Sequence, residues 1–136
     1  MIGPATKRVP IRWRDLDGFN HVNNAVYLSY LEEGRDAWLE AVLGTGITAM
    51  TEFVVRHISI DYVSALTQQD GEAIVTVEVE SLGNSSITLR ETITASSDGR
   101  VAASARGVLV HTNPARDASK PLPDDLRALL EASIRS

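Results

Sequence analysis

The chain has 136 residues, of which 43% are hydrophobic and 23% charged, and its formal net charge is −5. This length and composition predict one globular domain over residues 1–136 with a single core. Because cysteine is absent, a disulfide framework, a cysteine metal ligand and a cysteine nucleophile are excluded. The acidic balance argues against a nucleic-acid partner, which needs a basic face.

The sequence also gives no sign of export, membrane insertion or a bound cofactor. No stretch resembles a signal peptide or approaches the roughly 20 apolar residues that span a bilayer. His57 and His111 stand singly in predicted strands, without the spacing of metal ligands. We therefore expect a cytoplasmic protein that contacts no membrane and needs no metal.

The predicted elements begin with a strand over residues 7–14, where apolar and basic residues alternate. Pro10 inside it lacks a backbone donor, which places the strand at a sheet edge or a bulge. After a polar loop, apolar residues recur every three or four positions from Asn24 to about Leu43. This period predicts a helix of about five turns, capped by Asn23 or Asn24 and ended by Gly44.

Four further strands are predicted over residues 54–63, 72–82, 85–95 and 101–111, followed by a short helix over 122–134. The hairpin signals Gly83-Asn84 and Asp98-Gly99 favour consecutive pairing, so we expect an antiparallel meander of the four strands. One long helix cannot supply alternating βαβ units. The predicted class is α+β, with an antiparallel sheet of about five strands curled around the long helix.

The loop before the long helix holds the residues best suited to chemistry. Unpaired N–H groups at a helix start can polarise a carbonyl or hold an oxyanion. A carboxylate a few residues upstream, such as Asp17, can attack that carbonyl or activate a water molecule. Asp and Asn are also common in loops and caps for purely structural reasons, so the pattern leaves both interpretations open.

Several motifs of the chain are similar to those of one enzyme family. They are Arg14-Asp15-Leu16-Asp17, His21-Val22-Asn23-Asn24, Tyr27 with Tyr30, Ile58-Ser59-Ile60-Asp61-Tyr62, Gly71-Glu72 and Lys120-Pro121-Leu122-Pro123. With these motifs the chain resembles the 4-hydroxybenzoyl-CoA thioesterase family, acyl-CoA thioesterases of the hotdog superfamily. The resemblance spans nearly the whole chain, and its first motif is the most specific.

The resemblance implies roles for five of the matching residues. Asp17 matches the catalytic aspartate, as nucleophile or general base, and Asn24 matches the position whose N–H polarises the thioester carbonyl. His21 and Asn23 would shape the same loop, and Tyr27 would lie near the acyl pocket. The family's sites lie between subunits, so a homodimer or homotetramer is expected, with acyl-CoA as substrate and no separate cofactor.

One departure concerns the carrier that bears the acyl group. Some family members present basic residues at the turn after the third strand, whereas residues 82–86 here contain no Lys or Arg. The amides and hydroxyls of Asn84, Ser85 and Ser86 could hold pantetheine or a phosphate, with Arg56 as a possible charge partner. The carrier is therefore left open between coenzyme A and an acyl carrier protein.

Two other functions fit the same fold. One is a module that binds acyl-CoA without hydrolysing it. The other is a hotdog dehydratase or hydratase, in which a histidine is paired with a carboxylate, as His21 and Asp17 could be. Because the full set of Asp17, His21 and Asn24 is present, we expect a thioesterase.

Overall fold

The structure, a computed structural model, describes residues 2–135. Its helices and strands are β1 (Ala5–Pro10), α1 (Asn24–Leu43), β2 (Phe53–Tyr62), β3 (Glu72–Leu82), β4 (Ser86–Ala95), β5 (Val101–His111) and α2 (Asp124–Arg135). The five strands form one antiparallel sheet in the order β1-β3-β4-β5-β2. The predicted α+β class, with one long helix on a five-stranded antiparallel sheet, is confirmed.

The predicted order of strands was wrong for β2. Only β3, β4 and β5 form a meander, while β2 pairs with β5 and β1 pairs with β3. The connection over residues 63–71 has no two-residue hairpin turn, and it carries the chain from one edge of the sheet to β3, beside the other edge. Strand pairing of this kind depends on packing across the whole sheet, which local turn signals do not report.

Strand β1 is an edge strand, as Pro10 indicated, but it ends at Pro10 rather than at residue 14. The Asp15 carboxylate accepts the Arg12 N–H at 2.9 Å and closes a 3-10 turn over Trp13–Asp15. Trp13, one of the apolar residues of the strand predicted over residues 7–14, is 78% exposed. A local hydrogen bond between side chain and backbone has here replaced the sheet ladder.

Helix α1 lies close against the sheet along its apolar stripe. Leu31 and Trp38 are fully buried, and Gly34 faces Val75 so closely that a Cβ at residue 34 would overlap the valine side chain. The inward rows of the strands are filled by small and β-branched residues, which suit close packing on a pleated surface. Helix α2 packs against β3 and buries Leu126 and Leu130.

The register of the strands fixes two distinct ends of the sheet. Pro10 is opposite Glu72, so the loop that follows β1 lies where β3 begins. The turn from β3 to β4 lies at the other end of an 11-residue strand, about 33 Å away at ~3.3 Å per residue. Within residues 2–135 neither helix is long and apolar enough to cross a membrane.

Candidate active site

The start of helix α1 leaves one backbone donor open. Asn23 is the N-cap, and its side-chain oxygen accepts the Ala25 N–H at 2.9 Å. The Asn23 carbonyl accepts the Val26 N–H at 2.9 Å. The Asn24 N–H donates to no acceptor in the described part of the chain, and it lies at the positive end of a 20-residue helix.

Asp17 is held in place by backbone groups of its own loop. Its Oδ1 accepts the Phe19 N–H at 2.8 Å and the His21 N–H at 3.4 Å. Its own N–H donates to the His21 carbonyl at 2.8 Å, and Asn20 adopts a left-handed conformation with φ of 60° to close the turn. Oδ2 accepts no hydrogen bond within residues 2–135, so one carboxylate oxygen remains available to a substrate or a water molecule.

Asp15 ties this loop to the helix start. Its carbonyl accepts the Asn23 N–H at 2.9 Å, and its buried carboxylate accepts the Tyr30 hydroxyl at 2.8 Å and pairs with Arg12 at 3.2 Å. Burial by itself would raise the pKa of Asp15, yet the hydrogen bonds from the Arg12 N–H, Tyr30 and the Arg12 guanidinium hold this pKa below its ordinary value. These contacts make Asp15 the residue that anchors the loop to the helix start.

Two tyrosines make hydrogen bonds to the segments around the loop and the helix start. Tyr27 is buried, and its hydroxyl accepts the Leu66 N–H at 3.3 Å, while the Leu66 carbonyl accepts the Val22 N–H at 2.8 Å. Tyr62, at the end of β2, packs edge-on against Tyr27 at 5.1 Å and donates its hydroxyl to the Asn24 carbonyl at 3.1 Å. Tyr62 received no role in the sequence analysis, although it is the last residue of one of the quoted motifs and an aromatic residue at a strand end was a usable signal.

The single chain divides the predicted site residues into two groups. Asp17, His21, Asn23, Asn24 and Tyr27 come together at the end of the sheet where β3 begins. The other group lies towards the opposite end and consists of Arg56, exposed at a bulge in β2, and of Asn84, Ser85 and Ser86 around the β3–β4 turn. One chain therefore does not bring the two groups into one pocket.

Two depressions lie near the helix start. The first, of about 500 Å³, is bounded by His21 together with the exposed rings of Trp13 and Phe19. The second, here named the α1 groove, has a volume of about 470 Å³ and runs between α1 and β2. The α1 groove is lined by Leu28, Ser29, Glu32, Arg35, Asp36, Leu39, Met50, Phe53, Val55, Ile58 and Leu109.

A buried ion pair forms part of this groove, and the sequence did not predict it. Arg35 is only 6% exposed, and its Nη1 contacts both carboxylate oxygens of Glu91 at 3.0 and 3.1 Å. Glu91 is fully buried, and this burial raises its pKa although Arg35 opposes the shift. The missed signal was a glutamate in the otherwise apolar inward row of β4.

Across residues 2–135, no three His, Asp or Glu side chains come together as the ligands of a metal ion would. That the protein works without metal or cofactor stays a prediction.

The fold is that of a hotdog thioesterase, and comparison with known proteins agrees. Residues 11–130 match the family model of the thioesterase-like superfamily. The chain belongs to this superfamily, so the predicted family and enzyme class are confirmed.

Individual relatives cover almost the whole chain. The long-chain acyl-CoA thioesterase FadM of Escherichia coli is 31% identical over 132 residues, covering 94% of this chain and 98% of its own. A Thermus thermophilus thioesterase, solved with coenzyme A and zinc, is 35% identical with a TM-score of 0.80, covering 97% of this chain and 95% of its own. A predicted thioesterase of Bacillus stearothermophilus is 27% identical with a TM-score of 0.82, covering 96% of each chain.

Proposed function

We propose that the protein hydrolyses an acyl-CoA thioester to the free acid and coenzyme A, with Asp17 as nucleophile or general base. The observation that carries the proposal is the hydrogen bond from the Asn23 N–H to the Asp15 carbonyl at 2.9 Å. It joins the two segments that carry the Asp17 carboxylate and the open Asn24 N–H. A carboxylate and an oxyanion donor on one rigid loop are what acyl transfer requires.

The chemistry follows from these two groups. The thioester oxygen accepts the Asn24 N–H, whose helix dipole stabilises the negative charge that develops there. A water oxygen bonds to the carbonyl carbon while Asp17 takes its proton, or Asp17 attacks directly and water cleaves the resulting anhydride. In either route the C–S bond breaks, the thiolate leaves, and the proton from water returns to it.

We further propose that a second copy of the chain completes the site. The Asn84–Ser86 turn cannot reach Asp17 of its own chain, because it lies about 33 Å away along the sheet. Arg56 lies towards the same end of the sheet as this turn. In a homodimer or homotetramer the partner chain could supply both to hold the pantetheine arm. The same groups would serve an acyl carrier protein, so thiol release from each carrier is the comparison to make.

Replacing Asp17 by Asn tests the catalytic assignment. This change keeps the shape of the side chain but removes the charge, and we expect turnover to fall at least ~100-fold with the fold intact. Thiol release should be followed over a panel of short, long, branched and aromatic acyl-CoAs. Glu40→Gln, an exposed carboxylate on α1, is the control, and equal turnover of Asp17→Asn and wild type would remove Asp17 from the mechanism.

The alternatives predict different outcomes. A binding module would hold acyl-CoA tightly and release no thiol. A dehydratase would act on 3-hydroxyacyl or enoyl thioesters, but the described contacts do not favour it, because His21 meets Asp17 through its backbone N–H. Its imidazole makes no hydrogen bond within residues 2–135.

A further inference from the structure

The α1 groove begins one helical turn beyond the helix start. Leu28, Glu32 and Leu39 occupy one face of α1 along it, and β2 with the turn before it forms the opposite wall. Most of the lining is aliphatic or aromatic, and the volume of about 470 Å³ lies in the range of small-molecule sites. An acyl chain that starts at the Asn24 N–H and follows the helix would run along this groove.

Arg35 brings unused hydrogen-bond donors to this apolar surface. Only its Nη1 is bonded, to Glu91, while Nε and Nη2 have no acceptor in the described part of the chain. No buried side-chain nitrogen or oxygen among the described residues lacks a partner. These two nitrogens are therefore accessible rather than enclosed, and the α1 groove is the depression that Arg35 lines.

The charges around Arg35 indicate which acceptor fits. Glu91 already neutralises the guanidinium, and the groove also carries Glu32 and Asp36. A ligand carboxylate would add a further negative charge to a groove that already carries these carboxylates, and like charges repel. A neutral hydroxyl or carbonyl oxygen can accept from Nε or Nη2 without that repulsion, and hydrogen bonds to charged donors are among the stronger ones.

We propose that Arg35 is a specificity-determining residue, which selects acyl chains that bear a hydroxyl or carbonyl oxygen far from the thioester. The inference rests on the proposed function, since it takes the groove as the acyl site. Arg35 lies eleven positions after Asn24, roughly 16 Å along a helix that rises 1.5 Å per residue. The selected oxygen therefore lies well along a long chain, not beside the reacting carbonyl.

Binding to the Asp17→Asn protein tests this without requiring turnover. Dissociation constants would be measured by calorimetry for octadecanoyl-CoA and for a set of hydroxy and oxo derivatives substituted from C3 to C15. We expect one mid-chain or distal position to bind at least about tenfold tighter than the plain chain, and the C3 derivative to show no gain. Equal constants across the set would overturn the proposal.

Variants of the ion pair then identify the residue responsible. Arg35→Met combined with Glu91→Met removes both charges together, because losing one alone leaves the other buried and unpaired. In this double variant the preference for one hydroxy or oxo derivative should vanish. The matched control is Arg106→Met with Glu80→Met, an exposed pair on the outer face of the sheet, where the preference should persist.

Further outcomes separate this proposal from the proposed function. If the double variant fails to fold by circular dichroism, Arg35→Lys keeps the charge with a different donor geometry, and an unchanged preference there would count against Arg35. The α1 groove could instead be covered by a second copy of the chain. All the acyl-CoA derivatives would then bind with equal constants, and the Arg35→Met/Glu91→Met variant would form an oligomer of different mass from the wild type. Absence of thiol release by the wild type would refute the thioesterase and leave the binding comparison standing.

Discussion

Asp15 and Asp17 are separated by one residue, yet the structure gives them opposite environments. Asp15 is buried, and its carboxylate accepts hydrogen bonds from three side-chain or backbone donors. These hydrogen bonds lower the pKa of Asp15 and so favour its ionised form. Asp17 is partly exposed, and its Oδ2 accepts no bond in the described chain. The resemblance assigns the catalytic role to Asp17, which stays a prediction, whereas the donors that surround Asp15, above all Tyr30, depend on how α1 lies against the loop.

Tyr62→Phe tests whether the hydroxyl positions the helix start. The change removes the 3.1 Å bond to the Asn24 carbonyl and keeps the ring against Tyr27. We expect kcat to fall about two- to tenfold, the scale of one neutral hydrogen bond, while KM stays unchanged. Steady-state kinetics with the best substrate would show it, and an unaltered kcat would remove Tyr62 from the site.

Tyr30→Phe provides the contrast at the same scale. It takes a donor from the buried Asp15 carboxylate, so its main effect should be on the free energy of unfolding, a loss of about 1–3 kcal/mol. Urea unfolding of the two variants side by side would separate a positioning role from a structural one.

At the scale of elements, the bounds of α1 could be predicted and those of β1 could not. The apolar period of α1 runs without interruption between Asn23 and Gly44, and the structure places the cap and the end at these residues. In β1 the alternation continued past Pro10 into residues that a local Asp15 hydrogen bond turned into a 3-10 turn. A periodic pattern predicts the bounds of a helix or strand unless a nearby side chain forms a hydrogen bond with the backbone that replaces the regular one.

Gly34→Ala tests the close approach of α1 to the sheet. The new Cβ would overlap the Val75 side chain in a fully packed core, which costs about 1–3 kcal/mol and outweighs the better helix propensity of alanine. The free energy of unfolding in urea should fall accordingly. Val75→Ala makes room, so the double variant should be more stable than the sum of the two single changes predicts, and simple additivity would contradict the contact.

At the scale of the whole molecule, the sequence yielded the sheet and the long helix but not the order of strands. The hairpins at Gly83-Asn84 and Asp98-Gly99 are local and were predictable, whereas the pairing of β2 with β5 joins segments about fifty residues apart. The same limit applies to the site. The helix-start group lies within one continuous segment, while Arg35 and Glu91 meet only after α1 docks on β4.

The network around Asp70 predicts how stability depends on pH. Asp70 accepts bonds from Arg100 at 2.9 and 3.0 Å and from the Ser97 hydroxyl at 2.6 Å, and the Arg100 bonds hold the pKa of Asp70 well below its ordinary value. Asp70 therefore binds a proton more tightly in the unfolded chain than in the folded protein. The stabilisation is complete above the ordinary aspartate pKa of about 4 and is lost as the pH falls towards the lower folded value.

Asp70→Asn should accordingly be less stable than the wild type at pH 7 and should lose less stability on acidification below about pH 4. Urea unfolding at a series of pH values from 7 to 2 would measure both effects. Glu40→Gln controls for the loss of one carboxylate, and parallel pH profiles for Asp70→Asn and the wild type would contradict the assignment.

The Arg35–Glu91 pair also constrains how this sequence can drift. A Cβ at Gly107 would lie 2.6 Å from Glu91 Oε1, so the position of the Glu91 side chain leaves no room for a larger residue at 107. The residues at positions 35, 91 and 107, on three different elements, therefore depend on one another. Losing either charge alone leaves its partner buried and unpaired, a cost of about 3–5 kcal/mol that would consume much of a small domain's stability. Descendants of this chain can abandon the pair only by changing both positions nearly at once. Residues 35, 91 and 107 should thus be inherited as a unit, although none of them touches the Asp17 loop.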